Sequence, residues 1–236
     1  VDTTSRFTAA LTRVQATGAT DLPDQLATAA ARALAVDGVG SSLAAEQPAL
    51  LGARGEWAAV AEQLQFTVGT GTGPCLVAVD TQFPLYGVES YLQQRWPLHH
   101  DLLRARTPYR SVVALPMNEG LSGVGAVVVY LESPAGPLDF DSFDAHTVVS
   151  LVSAELTASP TWATRHQPGV QHWIDTPGAR VRAITWQAVT LLHQVLATPQ
   201  ADTLAVLRAR AYSTGRLVDE IASDLVDGRL SVHDLA

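Results

Sequence analysis

The residues best placed for chemistry are few. Cys75 closes the glycine-dense run Gly69-Thr70-Gly71-Thr72-Gly73-Pro74-Cys75, and His99 and His100 follow downstream. A Cys–His pair works as a nucleophile only with an orienting third group and an oxyanion site. Nothing in the spacing supplies either, and a buried thiol is the simpler reading. The glycines at 69, 71 and 73 do not form a dinucleotide fingerprint. All fifteen basic residues are Arg, so a P-loop lysine, a Schiff-base lysine and a lysine general base are excluded. The run therefore reads as a loop beside a pocket. His99 and His100 are adjacent and diverge in most backbone conformations, while His166, His172 and His193 are scattered and lack a Cys partner. No zinc pattern is present. The expectation is a protein with no catalytic residues and no metal.

A second set of candidates is cationic. Arg180, Arg182, Arg208, Arg210 and Arg216 fall between positions 180 and 217 with Asp202 as the sole acid, a local charge of +4 in a chain of −8. On a helix, Arg208 and Arg210 splay by about 200° and cannot point at one phosphate. Arg208 and Arg216 can still share a face across an intervening turn. These arginines serve either phosphate binding or a solvated helix surface. Residues 1–159 hold 8 Arg and 16 acids, a net −8, and residues 160–236 hold 7 of each. The acidic part does not seek nucleic acid by itself.

The elements that must position these groups can be read from periodicity. Helices are predicted over Arg6–Gly18, with Phe7, Leu11 and Val14 on one face, and over Asp21–Ala35, capped by Asp21. Strands are predicted at Val39–Ala44 and around Leu50-Leu51. Leu76–Val79 reads as helical or extended, and Val88–Gln94 as helical. Ser111–Met117 and Val124–Leu131 form a hairpin turned at Asn118-Glu119-Gly120; both runs are continuously apolar, which predicts the centre of a sheet. Asp141–Ala158 reads as a helix burying Phe143, Val148, Leu151, Val152 and Leu156. Residues 160–179, with three prolines and Trp162 and Trp173, form a linker.

Three helices close the chain. The first carries Val181, Ile184, Ala188, Leu191, Leu192, Val195 and Leu196 at helical spacing. Thr198-Pro199 starts the second, with Leu204, Leu207 and Ala211 on one side. Gly215 interrupts, and the third has Leu217, Ile221 and Leu225 on one stripe, with Gly228 as its stop. Such a short bundle is at the lower limit for an independent core and leans on a partner. The order gives an α+β domain over 1–159, a linker over 160–179 and a helical bundle over 180–236.

Trp186-Gln187-Ala188, Leu207-Arg208-Ala209-Arg210-Ala211-Tyr212, Arg216 and Glu220–Val226 resemble an ANTAR domain, the three-helix RNA-binding module of bacterial transcription antiterminators. Upstream, Gly71–Cys75, Arg95-Trp96-Pro97, Ser111-Val112, Leu115-Pro116 and Gly125-Ala126 resemble, in order, a GAF domain. The resemblance implies an antiparallel sheet of five or six strands flanked by helices, followed by a three-helix ANTAR bundle. It also implies a homodimer whose two modules hold paired stem-loops in nascent RNA. A terminator hairpin then fails to form, so the RNA polymerase elongation complex is affected indirectly. On this reading Arg208, Arg210 and Arg216 contact RNA backbone, Arg180 and Arg182 assist, and Tyr212 stacks on a base or packs in the bundle. A GAF small-molecule ligand, of unknown identity, would meet Cys75, Arg95, Trp96 and Tyr130. A dimerising, protein-interaction role with a degenerate ANTAR module is the alternative.

The chain departs from the family pattern at four places. Val189 and Thr190 stand where many members carry Lys and Gly, Gly215 where many carry Asn or Asp, and Thr72 where Glu is usual. The single cysteine excludes an intrachain disulfide and fits a reducing compartment. With no signal-like run and no stretch long enough to span a bilayer, a cytoplasmic location is expected. The chain opens on Val1 and not on Met, so its native start is not taken to be present.

Overall fold

A five-stranded antiparallel sheet organises the first two thirds of the computed structural model. Residues 2–18, 21–44, 49–67, 73–159 and 177–235 are described, with side chains throughout except at 49, 67 and 177–182. The strands are β1 (Gly38–Leu43), β2 (Ala49–Ala53), β3 (Leu85–Gly87), β4 (Ser111–Pro116) and β5 (Gly125–Leu131), in the order β2-β1-β5-β4-β3. The β4–β5 pairing runs from Ser111 opposite Leu131 to Pro116 opposite Ala126. As its unbroken apolar runs predict, this pair lies inside the sheet and is covered on both faces.

Alternation along the strands sends neighbouring residues to opposite faces. Val39, Val113, Leu115, Val127 and Val129 join a core made with α1 (Thr3–Gln15), α2 (Leu22–Leu34) and the later helix Ser142–Ala158. Val112, Ala114, Ala126, Val128 and Tyr130 join a second core, on the side of α3 (Gly55–Thr67), α4 (Pro74–Thr81), α5 (Glu89–Arg95) and α6 (Pro97–Arg106). The result is a layer of helices on each side of one sheet. The helices from both ends of this region pack together on the first face, as the chain order predicts.

Several expectations need correction. Asp21 stands at the N-cap of α2 but its side chain makes no capping bond. Asp24, one turn on, instead accepts from the Ala53 backbone N–H at 2.9 Å and ties α2 to β2. Helix α7 (Ser142–Ala158) starts on Asp141, whose carboxylate accepts from the N–H groups of Phe143 and Asp144. Its buried stripe is Ala145, Val148, Val149, Val152 and Leu156; Leu151 is half-buried and Phe143 is 79% exposed. Phe143 lies two residues before the stripe begins, about 200° around the helix from Ala145. The Leu76–Val79 run is helical, within α4.

The closing bundle comprises α8 (Pro177–Leu196), α9 (Gln200–Thr214) and α10 (Val218–Val226). Helix α8 begins three residues before the expected boundary at 180. The linker residues 160–176, with Trp162 and Trp173, lie outside the described residues. Ala188, Val189, Leu192, Leu207, Ala211, Ile221, Ala222 and Leu225 form the bundle core. Val195 and Leu196, placed by spacing on the apolar side of α8, are exposed. Pro199 is the N-cap of α9, one position earlier than its predicted first-turn place. A buried hydrogen bond from the Thr185 hydroxyl to the Asp219 carboxylate joins α8 to α10. Gly215, at φ 64°, ends α9 in the left-handed conformation that favours glycine.

Candidate functional site

The most unusual chemistry lies under the second face of the sheet. Helix α3 turns Glu62 and Gln65 inward, against β1 and β5. Glu62 is fully buried. Its Oε2 accepts from the Ser42 hydroxyl, and its Oε1 accepts from the Tyr130 hydroxyl at 2.8 Å. Gln65 donates to the Tyr130 oxygen at 2.7 Å, and its Oε1 accepts from the Cys75 backbone N–H at 2.7 Å. Four elements are thus joined through polar groups: β1, α3, α4 and β5. Gly40 makes room for the carboxylate, since a Cβ there would lie 2.3 Å from Glu62 Cγ.

Burial dominates the protonation of this network. It pushes Glu62 up to about 7, although the bonds from Ser42 and Tyr130 favour the carboxylate. The Cys75 thiol is raised by burial and then by the neighbouring Glu62, and it stays protonated at neutral pH. Burial and Glu62 raise the Tyr130 phenol in the same way. A protonated, enclosed thiol is a poor nucleophile. The group that titrates near neutrality here is Glu62.

Position gives the network its functional interest. It holds the C-terminal half of α3 and the N-terminus of α4, the two ends from which the glycine-rich segment departs. Residues 68–72, including Gly69, Gly71 and Thr72, lie outside the described residues.

Of the four residues expected to form a ligand pocket, only two meet. Cys75 and Tyr130 are linked through Gln65. Trp96 is buried in the same core but contacts Tyr91 edge-on at a ring separation of 5.9 Å. Arg95 lies on the exposed side, its guanidinium 5.6 Å from the Trp96 ring centroid. Arg95 is thus removed from the pocket set, because its guanidinium lies over the outer side of the Trp96 ring and does not enter the core. Glu62, Gln65 and Ser42 take the central place that spacing did not assign them. A charged residue that directly follows an apolar run, Ala58-Ala59-Val60-Ala61-Glu62, is the available signal.

His99 and His100 are both buried on α6. His100 lies 3.5 Å from Glu89 and 3.1 Å from Asp101. Neither ring nitrogen of His99 has a hydrogen-bond partner among the described residues. Burial, with His100 adding to it, pushes His99 down to about 4, so its ring is neutral. Among the described residues no cluster of three or more His, Cys, Asp or Glu could hold a metal ion.

The arginine set divides. Tyr212 is 55% exposed on α9 and lies outside the bundle core. Arg208 and Arg210 are half-buried on the same helix. Asp234, held low first by bonds from Ser231, also feels the charge of Arg210. Arg216 has acidic partners within the bundle: Asp224 at 2.7 Å and Glu220 at 3.6 Å. The side chains of Arg180 and Arg182 lie outside the described residues, though both are within α8. Val189, one of the departures from the family pattern, is a fully buried core residue. Thr190 is exposed and donates to the Trp186 carbonyl.

No family model matches the chain, and no curated protein does. Among solved structures, the chain is similar to the GAF domain of a phosphoenolpyruvate-protein phosphotransferase (ptsP) from Coxiella burnetii, covering 68% of this chain and 95% of that one. The identity is 12% and the TM-score 0.44, so the fold class rests on the sheet and helices themselves. Among the described residues no helix is long and apolar enough to cross a membrane.

Proposed function

We propose that this chain is a non-catalytic sensor–effector regulator. Residues 1–159 act as a GAF-type sensory domain, and residues 180–236 as an ANTAR-type module that binds RNA. Working as a cytoplasmic homodimer, it holds paired stem-loops in nascent RNA and so favours transcription past a terminator. One observation carries the reading. The bundle presents Tyr212, an exposed aromatic, on the same helix as Arg208 and Arg210. An exposed aromatic one turn from Arg208 suits unstacked loop bases, at about 1–3 kcal/mol per stacked base. The ordered family motifs support it from the sequence side.

Titrating purified protein with a tandem stem-loop RNA tests the reading. Binding is expected to weaken steeply as salt rises, because arginine contacts release counterions. Salt-insensitive binding, or none at low salt, overturns it.

A second reading has its own support. Arg216 is already paired with Asp224 and Glu220, which fits a dimerisation or protein-interaction module whose RNA surface has decayed. Replacing Arg208, Arg210 and Arg216 together by Ala separates the two. Loss of RNA binding with an intact dimer selects the regulator; an unchanged protein selects the alternative.

A further inference from the structure

The bundle does not stand clear of the sheet domain. Leu217 is 4% exposed, yet it belongs to the core cluster of α3 and α6 and not to the bundle's own core. Spacing groups it with Ile221 and Leu225, but its backbone is extended (φ −75°, ψ 149°), so the side chain leaves the helical stripe. Beside it, at the last residue of α6, Arg106 donates to the Gly215 carbonyl at 3.0 Å and to Glu220 Oε1 at 2.8 Å. The other Glu220 oxygen accepts from the Leu217 N–H at 3.1 Å.

The choice of residue at 217 is informative. It is the N-cap of α10, where Ser, Thr, Asp and Asn are strongly preferred. Leucine forgoes a side-chain cap there and places an apolar group in the neighbouring domain. Glu220 partly compensates by capping the Leu217 N–H, and the same carboxylate receives Arg106. Cap and inter-domain bond therefore share one side chain.

We infer that Leu217 and Arg106 form a docking joint that holds the α9–α10 corner against the sheet domain, and that the docked form is the weaker RNA binder. The second half rests on the RNA-binding reading above. Its physical basis is charge. Residues 1–159 carry a net −8, and docking keeps the bundle against that body. An approaching polyanion meets a repulsive field that falls off over a Debye length of about 10 Å at 0.1 M salt. Undocking moves the module out of it. The corner fits its socket by burying an apolar residue and pairing opposite charges at its rim, and helix α8, which also packs along the edge strand β2, is the hinge side on which the corner can open.

Leu217→Ser in the full chain is the decisive variant. It removes the apolar anchor, leaves the net charge unchanged and supplies a preferred capping residue to α10, so the bundle's own helix is not weakened. Arg106→Gln, outside the bundle, removes the rim pair independently. Amide exchange across 215–222 is expected to rise about tenfold in Leu217→Ser and less in Arg106→Gln, with helicity by circular dichroism retained. A tandem stem-loop RNA is expected to bind Leu217→Ser about tenfold more tightly at low salt, with the gain lost at high salt. Unchanged exchange in both variants, or loss of bundle helicity, overturns the joint. Raised exchange with unchanged RNA affinity overturns the inhibitory role. If neither wild type nor variant binds RNA, the RNA reading and the inhibitory role fall together, and exchange alone still decides the joint.

Discussion

The two faces of one sheet are built on different principles although their residues alternate along the same strands. On the first face Val39, Val113, Val127 and Val129 meet Ala29, Ala30, Ala33, Val148 and Val152, and the fully buried Glu62 carboxylate lies on the other side. On the second, Gly40, Ser42 and Tyr130 meet Glu62, Gln65 and the Cys75 backbone. A buried carboxyl group costs several kcal/mol of desolvation unless it is hydrogen-bonded or neutral. An apolar core of similar volume would give stability more cheaply. The polar network instead ties the C-terminal half of α3 and the N-terminus of α4 to β1 and β5. The bundle reinforces the contrast, since Leu217 docks into this side's core and not the other.

The sharpest way to break the contrast is to remove the carboxyl group. Glu62→Ala leaves a cavity and orphans hydroxyls at Ser42 and Tyr130, and is expected to cost about 3–5 kcal/mol by chemical denaturation. A truncation on the first face, Val129→Ala, removes two methyl groups and orphans nothing, for a cost of about 2 kcal/mol. Equal losses would show that the polar network contributes only volume.

The next effect is a pH dependence confined to the second face. Folding raises Glu62 from 4.5 to about 7, so between these values the folded state binds more protons than the unfolded one. Stability is then present in full below pH 4.5, declines as pH rises and levels off above about 7. The loss from pH 4.5 to 8 from this group is about 3 kcal/mol. Glu62→Gln keeps the shape and has no proton to lose, so its unfolding free energy lacks this decline. A wild type as flat as the variant would return Glu62 to an ordinary ion. Glu220 provides the opposite sign at the docking joint. Burial pushes it up, but the bonds from Arg106 and the Leu217 N–H, with the charges of Arg106 and Arg216, hold it below 4.5. The joint therefore weakens as pH falls through that lowered value.

These assignments explain what was legible from the residues alone. The β4–β5 pair is legible as two unbroken apolar runs, and helices α1 and α2 have an apolar period, because each buries hydrocarbon on one side. Helix α3 does not, because its inward side carries Glu62 and Gln65 among alanines; the residues that make it chemically interesting erase its signal. Strand β3 is three residues long, too short for any period to register. The candidate site was half visible. Cys75 ends the motif Gly71–Cys75 and Tyr130 lies in the apolar run Val124–Leu131, while Ser42 and Glu62 meet across 20 positions through topology alone. Leu217 was misassigned to the bundle stripe because spacing cannot show that the chain is still extended one residue before α10.

A smaller perturbation tests how the network is wired. Tyr130→Phe removes a donor to Glu62 and an acceptor for Gln65, while the stacking with Tyr109, at 5.2 Å between ring centroids, is kept. The expected cost is about 1–2 kcal/mol. Removing a donor to the carboxylate also raises Glu62 further, so the pH-dependent decline moves to higher pH. A cost without that displacement would make the phenol a packing residue only.

The smallest expected effect belongs to the first face's outer surface. Phe143, at 79% exposure on α7, contributes almost nothing to the monomer's core, so Phe143→Ser is expected to change unfolding free energy by no more than about 0.5 kcal/mol. Were it packed as helical periodicity alone predicts, the loss would be several times larger. Leu138, 76% exposed in the short 3₁₀ turn Gly136–Leu138 just before α7, adds a second apolar side chain outside the core. In the proposed homodimer, α7 supplies a self-complementary surface. Sedimentation should therefore show Phe143→Ser with a larger monomer fraction than wild type at equal concentration, although its fold is equally stable. Reduced stability at unchanged association would place Phe143 in the fold; reduced association at unchanged stability places it between subunits.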